Sequence, residues 1–179
     1  MDSEQKREYL EMGFYLILAV VIALLIVTFI GQRTVVNGSS MVPTLHDRDQ
    51  LVVYKFLYLY KTPQKGDVVI VWVPPEKRID KDEKLYIKRV MATENDRIAV
   101  KDGEVYLNGN KLSETYINKY GGIYRDQEEV TVPAGHAFVM GDNRGNSRDS
   151  REIGFVSYKD IKGKAVFRFW PVKDFGKIK

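Results

Sequence analysis

The sequence contains no cysteine, and that absence removes several kinds of chemistry at once. No disulfide staples the fold, no thiol serves as nucleophile, and no thiolate binds a metal, so the chain must hold by packing alone. Histidine is nearly as scarce. The two present, His46 and His136, have no histidine partner at helical spacing, so the ligand set of a zinc hydrolase is missing. The sequence implies no metal and no other cofactor. There is also no basic run long enough to act as a nucleic-acid arm, and a net charge of +4 selects no partner by itself. At 44% hydrophobic and 29% charged, the composition is that of a folded chain. Its 179 residues suffice for one domain with a real core plus an accessory segment.

Charge is locally absent as well. From Met12 to Gln32 no residue is ionisable as Asp, Glu, Lys or Arg, and a helix over this stretch, at ~1.5 Å per residue, spans about 30 Å. A buried soluble helix would keep a polar face. A cleaved leader would have a shorter apolar region followed by small residues, whereas Gly31, Gln32 and Arg33 follow here. The stretch reads as an uncleaved transmembrane helix with the lipid bilayer as its partner. Lys6 and Arg7 precede it and Arg33 follows, a count that leans to a cytoplasmic amino terminus. Residues 1–32 are thus expected to be tail and anchor, and residues 33–179 a separate domain.

That domain is expected to be mainly β, an antiparallel sheet. The runs 68–73, 85–92, 97–100, 104–107, 137–140 and 165–170 are short and rich in β-branched and aromatic residues. Asp102-Gly103 and Asn108-Gly109 mark tight turns, and Pro74-Pro75 and Pro133 end or open segments. No amphipathic helix and no internal repeat stands out. Residues 96–133 are more polar and could form a small hairpin lobe. Two aromatic clusters, FLYLY at 56–60 and FRFWP at 167–171, read either as core strands or as an apolar rim at a membrane interface.

Three segments could carry chemistry. VVNGSSMVPTL, residues 35–45, is either a Ser/Gly linker or a turn that presents a serine hydroxyl with N–H groups nearby for an oxyanion. In LYIKRV, a strand places Tyr86, Lys88 and Val90 on one face. Lys88 there is either a snorkelling surface lysine or one pressed against apolar neighbours, where lost hydration favours a neutral amine fit for general-base work. GDNRGNSRDSR, residues 141–151, is either a set of plain turns or a loop dense enough in hydrogen-bonding groups to support a site.

Together and in this order behind an amino-terminal anchor, SMVPTL, GDVVIV at 66–71, YIKRV and GDNRGNSRDSR resemble the type I signal peptidases, in the short single-anchor form of Gram-positive bacteria. The resemblance covers nearly the whole chain. It implies a Ser/Lys serine endopeptidase that removes signal peptides from exported preproteins after small residues of Ala-x-Ala type. By the resemblance Ser40 is the nucleophile and Lys88 the general base. Ser147 would orient the Lys88 amine, Asp149 and Arg151 would brace their loop, and Asp142 would pair with Arg89. The oxyanion donors would be the Ser40 N–H and a group at position 38, where Gly38 stands instead of the serine of some relatives, which leaves a backbone N–H, a water or no second donor there. Val36, Met41, Leu45, Tyr86 and Ile87 would line shallow apolar substrate pockets. The resemblance also implies a single-pass protein of the cell membrane with its catalytic domain outside. The oligomeric state is left open. An alternative is a LexA-like Ser/Lys self-cleaving regulator, but such proteins carry a DNA-binding domain and no anchor. A non-catalytic membrane-tethered partner would not need to keep Ser40 and Lys88.

Overall fold

The computed structural model describes residues 3–29, 31–78, 84–117 and 125–178. The chain divides into two compact units, Met1–Gln32 and Arg33–Lys179.

The first unit is helix α1 (Ser3–Phe29), a proline-free run dominated by Leu, Ile, Val, Ala and Phe. Its polar first turns carry an exposed Arg7–Glu11 pair one turn apart, at 2.9 Å. Beyond them Phe14, Tyr15, Leu16, Ile17 and Leu18 follow one another and are all exposed, so the apolar surface runs round the helix and forms no single stripe. Among the described residues no helix is long and apolar enough to cross a membrane. The side chains of residues 23–30, much of the predicted span, lie outside the described residues.

The second unit rests on two sheets. The larger runs β1 (Gly31–Val35), β2 (Gln50–Tyr54), β11 (Ile161–Trp170), β3 (Val68–Trp72), β4 (Leu85–Thr93), β9 (His136–Met140) and β10 (Val156–Ser157), with β12 (Gly176–Lys177) also on β11. The smaller runs β7 (Asn110–Lys111), β6 (Glu104–Leu107), β5 (Arg97–Lys101) and β8 (Gln127–Thr131). β3 is apolar at every position because both its faces are covered. Alternation sends Val69 and Val71 to a cluster with Tyr86, Val90, Val139 and Ile153. It sends Val68 and Ile70 to the opposite cluster, with Val36, Met41, Leu51 and Ile87.

β4 is buried from Tyr86 to Ala92 and pairs with β3 on one side and, from Arg89 onward, with β9 on the other. A register shift between Val90 and Ala92 turns Met91 toward a third cluster, where Ile98, Val100 and Val105 of the small sheet meet Phe138 and Met140. In the hairpin turns of that sheet Asp102, Gly103, Asn108 and Gly109 all adopt positive φ, the geometry their tight turns require.

Several elements differ from the sequence expectation. β1, β2 and β8 were not anticipated; QEEVT in β8 alternates little and its residues are mostly exposed or half-buried, so no buried face marks it. FLYLY is no strand: Leu57–Tyr60 forms the short helix α2 with no buried residue, and Tyr60 is 87% exposed. FRFWP ends β11, where Trp170 is exposed. A second short helix, α3 (Ser150–Ile153), closes the loop that follows β9.

Candidate active site

The turn after β1 is built by a few hydrogen bonds. Val36 N–H donates to Asp49 O and Arg48 N–H to Val36 O, both at 2.8 Å, which clamps the two ends of segment 36–49 together. Gly38, at φ +83°, reverses the chain in a region that disfavours side chains. Its N–H donates to Asp47 Oδ1 at 2.8 Å. The backbone then coils, with Val42 N–H on Ser39 O at 3.1 Å and Leu45 N–H on Met41 O at 2.9 Å. Ser40 is thereby lifted, half-buried, at the start of a helical turn.

Lys88 approaches from β4. It is 4% exposed, its Nζ lies 5.2 Å from the centroid of the Tyr86 ring, and it donates to Ile87 O at 3.0 Å. Lys88 Nζ also donates to Ser40 Oγ at 2.8 Å, across 48 residues of sequence. That separation is within proton-transfer reach.

Loop 141–151 closes the site from behind. Asn143 N–H donates to Ser40 O at 3.0 Å, its side-chain amide to Ser39 O at 3.1 Å, and the Asn146 amide to Ser39 Oγ at 2.9 Å. Gly141 has no room for a side chain: a Cβ there would stand 2.4 Å from Ser40 O and 2.2 Å from Ser147 Oγ. Its N–H donates to Asp149 Oδ2 at 3.0 Å. Asp149 caps α3 and takes a two-pronged hold from Arg151, at 2.8 Å on each oxygen. Asp142 receives the same two-pronged grip from Arg89, at 2.8 and 2.7 Å, and the Thr44 hydroxyl donates to it as well. Both carboxylates are fully buried.

Three further residues join this frame that sequence reasoning missed. Arg144 donates to Gly141 O at 3.0 Å and is paired, fully buried, with Glu114 of the segment after β7. Burial pushes the Arg144 pKa down, but the hydrogen bond and charge of Glu114 outweigh it and raise it overall. Tyr116 donates to Glu114 at 2.8 Å and lies 4.0 Å under the Arg89 guanidinium, measured to its ring centroid. Burial and then the Glu114 charge raise its phenol pKa. No local pattern in SETYI signals a partner 30 residues away.

In front of Ser40 and Lys88 lies a cleft of about 460 Å³. Val36, Met41, Tyr86 and Ile87 line it, joined by Thr34 and Val35 of β1. Leu45 does not. The helical turn rotates it away, and it is buried in the core cluster beside Leu51 and Val53. Two other expectations also fail in their detail. Ser147 packs against the bare Cα of Gly141 and its buried hydroxyl makes no hydrogen bond, so it does not hold the Lys88 amine. The Gly38 N–H is committed to Asp47 and does not point a second donor at an oxyanion. His46 is exposed, and His136 Nδ1 sits 2.9 Å from Ala134 O.

A family model described as signal peptidase, peptidase S26, matches residues 9–170. The chain is 37% identical to a signal peptidase I of Bacillus licheniformis, covering 98% of this chain and 96% of that one. It is 35% identical to signal peptidase I S of Bacillus subtilis, over 99% of both. It is also 34% identical to a probable signal peptidase I-2 of Synechocystis, over 98% of this chain and 79% of that one.

Proposed function

Because the chain belongs to the signal peptidase family, peptidase S26, and is with it a serine peptidase, we propose that Ser40 and Lys88 form the dyad of a membrane-anchored endopeptidase that removes leader peptides from exported preproteins. The observation that carries this is the 2.8 Å contact between the Ser40 hydroxyl and a lysine amine that is 4% exposed. Burial disfavours a charged amine, and a neutral Lys88 can accept the hydroxyl proton. Ser40 Oγ then attacks the scissile carbonyl carbon while its proton passes to Lys88 Nζ. That proton leaves with the departing amine, and an acyl ester on Ser40 remains. Water gives a proton to Lys88, attacks the ester, and restores the Ser40 hydroxyl. Asp142, Arg89, Asp149 and Arg151 act on the reaction by fixing loop 141–151 against Ser40. The Ser40 N–H serves as one oxyanion donor.

The cleft supports selection for small residues before the bond. Val36, Met41, Tyr86 and Ile87 offer shallow apolar walls, which discriminate by volume at about 1–3 kcal/mol per methylene. The peptide would lie as an added strand beside β1 or the first half of β4. Residues 12–32, uncharged and apolar on all described sides, suit a single span with the amino terminus in the cytoplasm and residues 33–179 outside the cell. Exposed Phe56, Leu59, Tyr60, Trp170 and Phe175 suit a rim that rests on the bilayer.

The test uses the detergent-solubilised full chain and a preprotein with an Ala-x-Ala site, followed by sequencing of the new amino terminus. Cleavage after the second alanine is expected. Ser40→Ala, Lys88→Ala and the double variant should lose nearly equal amounts of activity, since a catalytic unit is not additive. Substantial cleavage by Ser40→Ala would exclude it as nucleophile.

A further inference from the structure

The cleft carries a charge that the proposed reaction does not use. Lys84 and Arg148 line it together with Lys88, and among the described residues no acidic side chain does. Arg148 is the informative one. Its side chain is 28% exposed, its Nε is buried without a hydrogen bond, and its nearest carboxylate oxygen, Glu152 Oε2, stands 3.7 Å away. Glu152 is itself held at 2.9 Å by Arg125, so one carboxylate faces two guanidinium groups and a unit of positive charge is left over beside the cleft. A half-desolvated guanidinium in that state gains most from an anionic partner able to accept from its planar fork.

Its place in the cleft says which part of a substrate supplies that partner. Residues 146–148 reach the dyad from the catalytic loop, with the Asn146 amide on Ser39 Oγ, next to the nucleophile. The apolar lining, Val36, Tyr86 and Ile87, lies toward the Lys84 end of β4. A peptide whose small residues fill the apolar part therefore leaves the dyad past Arg148. We propose that Arg148 is a specificity-determining residue that favours preproteins with an acidic side chain in the first few positions after the scissile bond and disfavours basic ones there. This rests on the reading of the cleft as a signal-peptide-processing site.

The experiment compares peptides that share one Ala-x-Ala leader side and differ by Glu, Gln or Lys at the second residue after the bond, cleaved by the detergent-solubilised full chain. The readout is the ratio of kcat/KM for the Glu peptide over the Lys peptide, which is insensitive to how much active enzyme is present. A partly desolvated pair should set this ratio at about three- to tenfold in the wild type. Arg148→Ala should bring it close to one, Arg148→Glu should invert it, and Arg148→Lys should keep most of it. Should the variants fold poorly, the wild-type ratio alone decides, because it should shrink as salt is raised. A wild-type ratio of one with efficient cleavage of all three peptides overturns the inference and leaves the proposed function standing. So does a preference that appears only when the acid is placed before the bond. Cleavage of none of the peptides overturns both.

Discussion

The ion pairs around the dyad and those on the small sheet use the same side chains under opposite conditions. Arg89–Asp142, Arg151–Asp149 and Arg144–Glu114 are each at most 3% exposed on either partner. Arg97–Glu129 on the small sheet is 56% and 47% exposed, and Lys111–Glu104 is 55% and 31%. Water screens the second set and holds neither partner in one orientation. The first set has given up its hydration and is compensated by two-pronged geometry and a few further fixed contacts, such as Thr44 on Asp142 and the Gly141 N–H on Asp149, so a small displacement of either partner is costly. The buried pairs add little net stability over apolar residues of equal size. What they do is fix loop 141–151 in one position, with Gly141 against Ser40.

The sharpest way to break this contrast is Asp142→Ala. It takes away the two-pronged carboxylate partner of a buried guanidinium, and the expected loss is about 3–5 kcal/mol in urea unfolding of a residues 33–179 domain, with activity lost alongside. A loss below about 1 kcal/mol would mean that water reaches Arg89 and that the two sets are alike. An intermediate effect is expected at Asp96, at the entry to β5. Burial pushes its carboxyl up, but hydrogen bonds from the Thr93 N–H, the Asn108 amide and the Thr93 hydroxyl, with Lys65 nearby, outweigh this and hold it below the ordinary value. A depressed carboxylate stabilises the fold above its unfolded pKa of ~3.9, and that contribution fades as pH falls through the folded value. Asp96→Ala should therefore cost about 1 kcal/mol at pH 7, and the gap from wild type should narrow below pH 4. A gap that widens on acidification would reverse the assigned sign. Arg97→Ala should be the mildest, at ~0.5 kcal/mol or less, and any such effect should disappear in high salt.

Much of the site was legible because each chemical motif is short and continuous. NGSSM, YIKRV and GDNRGNSRDSR each bring their own turn or strand, so Ser40, Lys88, Arg89, Asp142, Asp149 and Arg151 could be named from sequence and are found together. Strands with both faces buried, such as β3, were legible, and so was β6, which is bounded by its two tight turns. Strand β8 was hidden because none of its residues is buried and only Gln127 and Val130 are half-buried, and α2 because an aromatic run at a surface looks like one in a core. Direction was harder to read than membership. Leu45 is in the right segment, yet one helical turn carries it into the core, and Ser147 is in the right loop, yet its hydroxyl faces Gly141. Glu114 and its pairing with Arg144 depend on a contact between distant segments, which no single motif encodes.

The order in which the ribosome makes these parts has a consequence of its own. Ser40 and Lys88 both emerge before β9 exists, but Ser40 is held by Asn143 and seated against Gly141, and the two-pronged hold of Arg89 on Asp142 forms only after β9 has been made. A growing chain thus carries Ser40 and Lys88, the proposed dyad, for some fifty residues without the frame that aligns them. On the proposed dyad, the growing chain is expected to stay inactive until loop 141–151 is in place. A chain ending just before His136 should accordingly contain both residues and cleave nothing, even when supplied with the best peptide substrate.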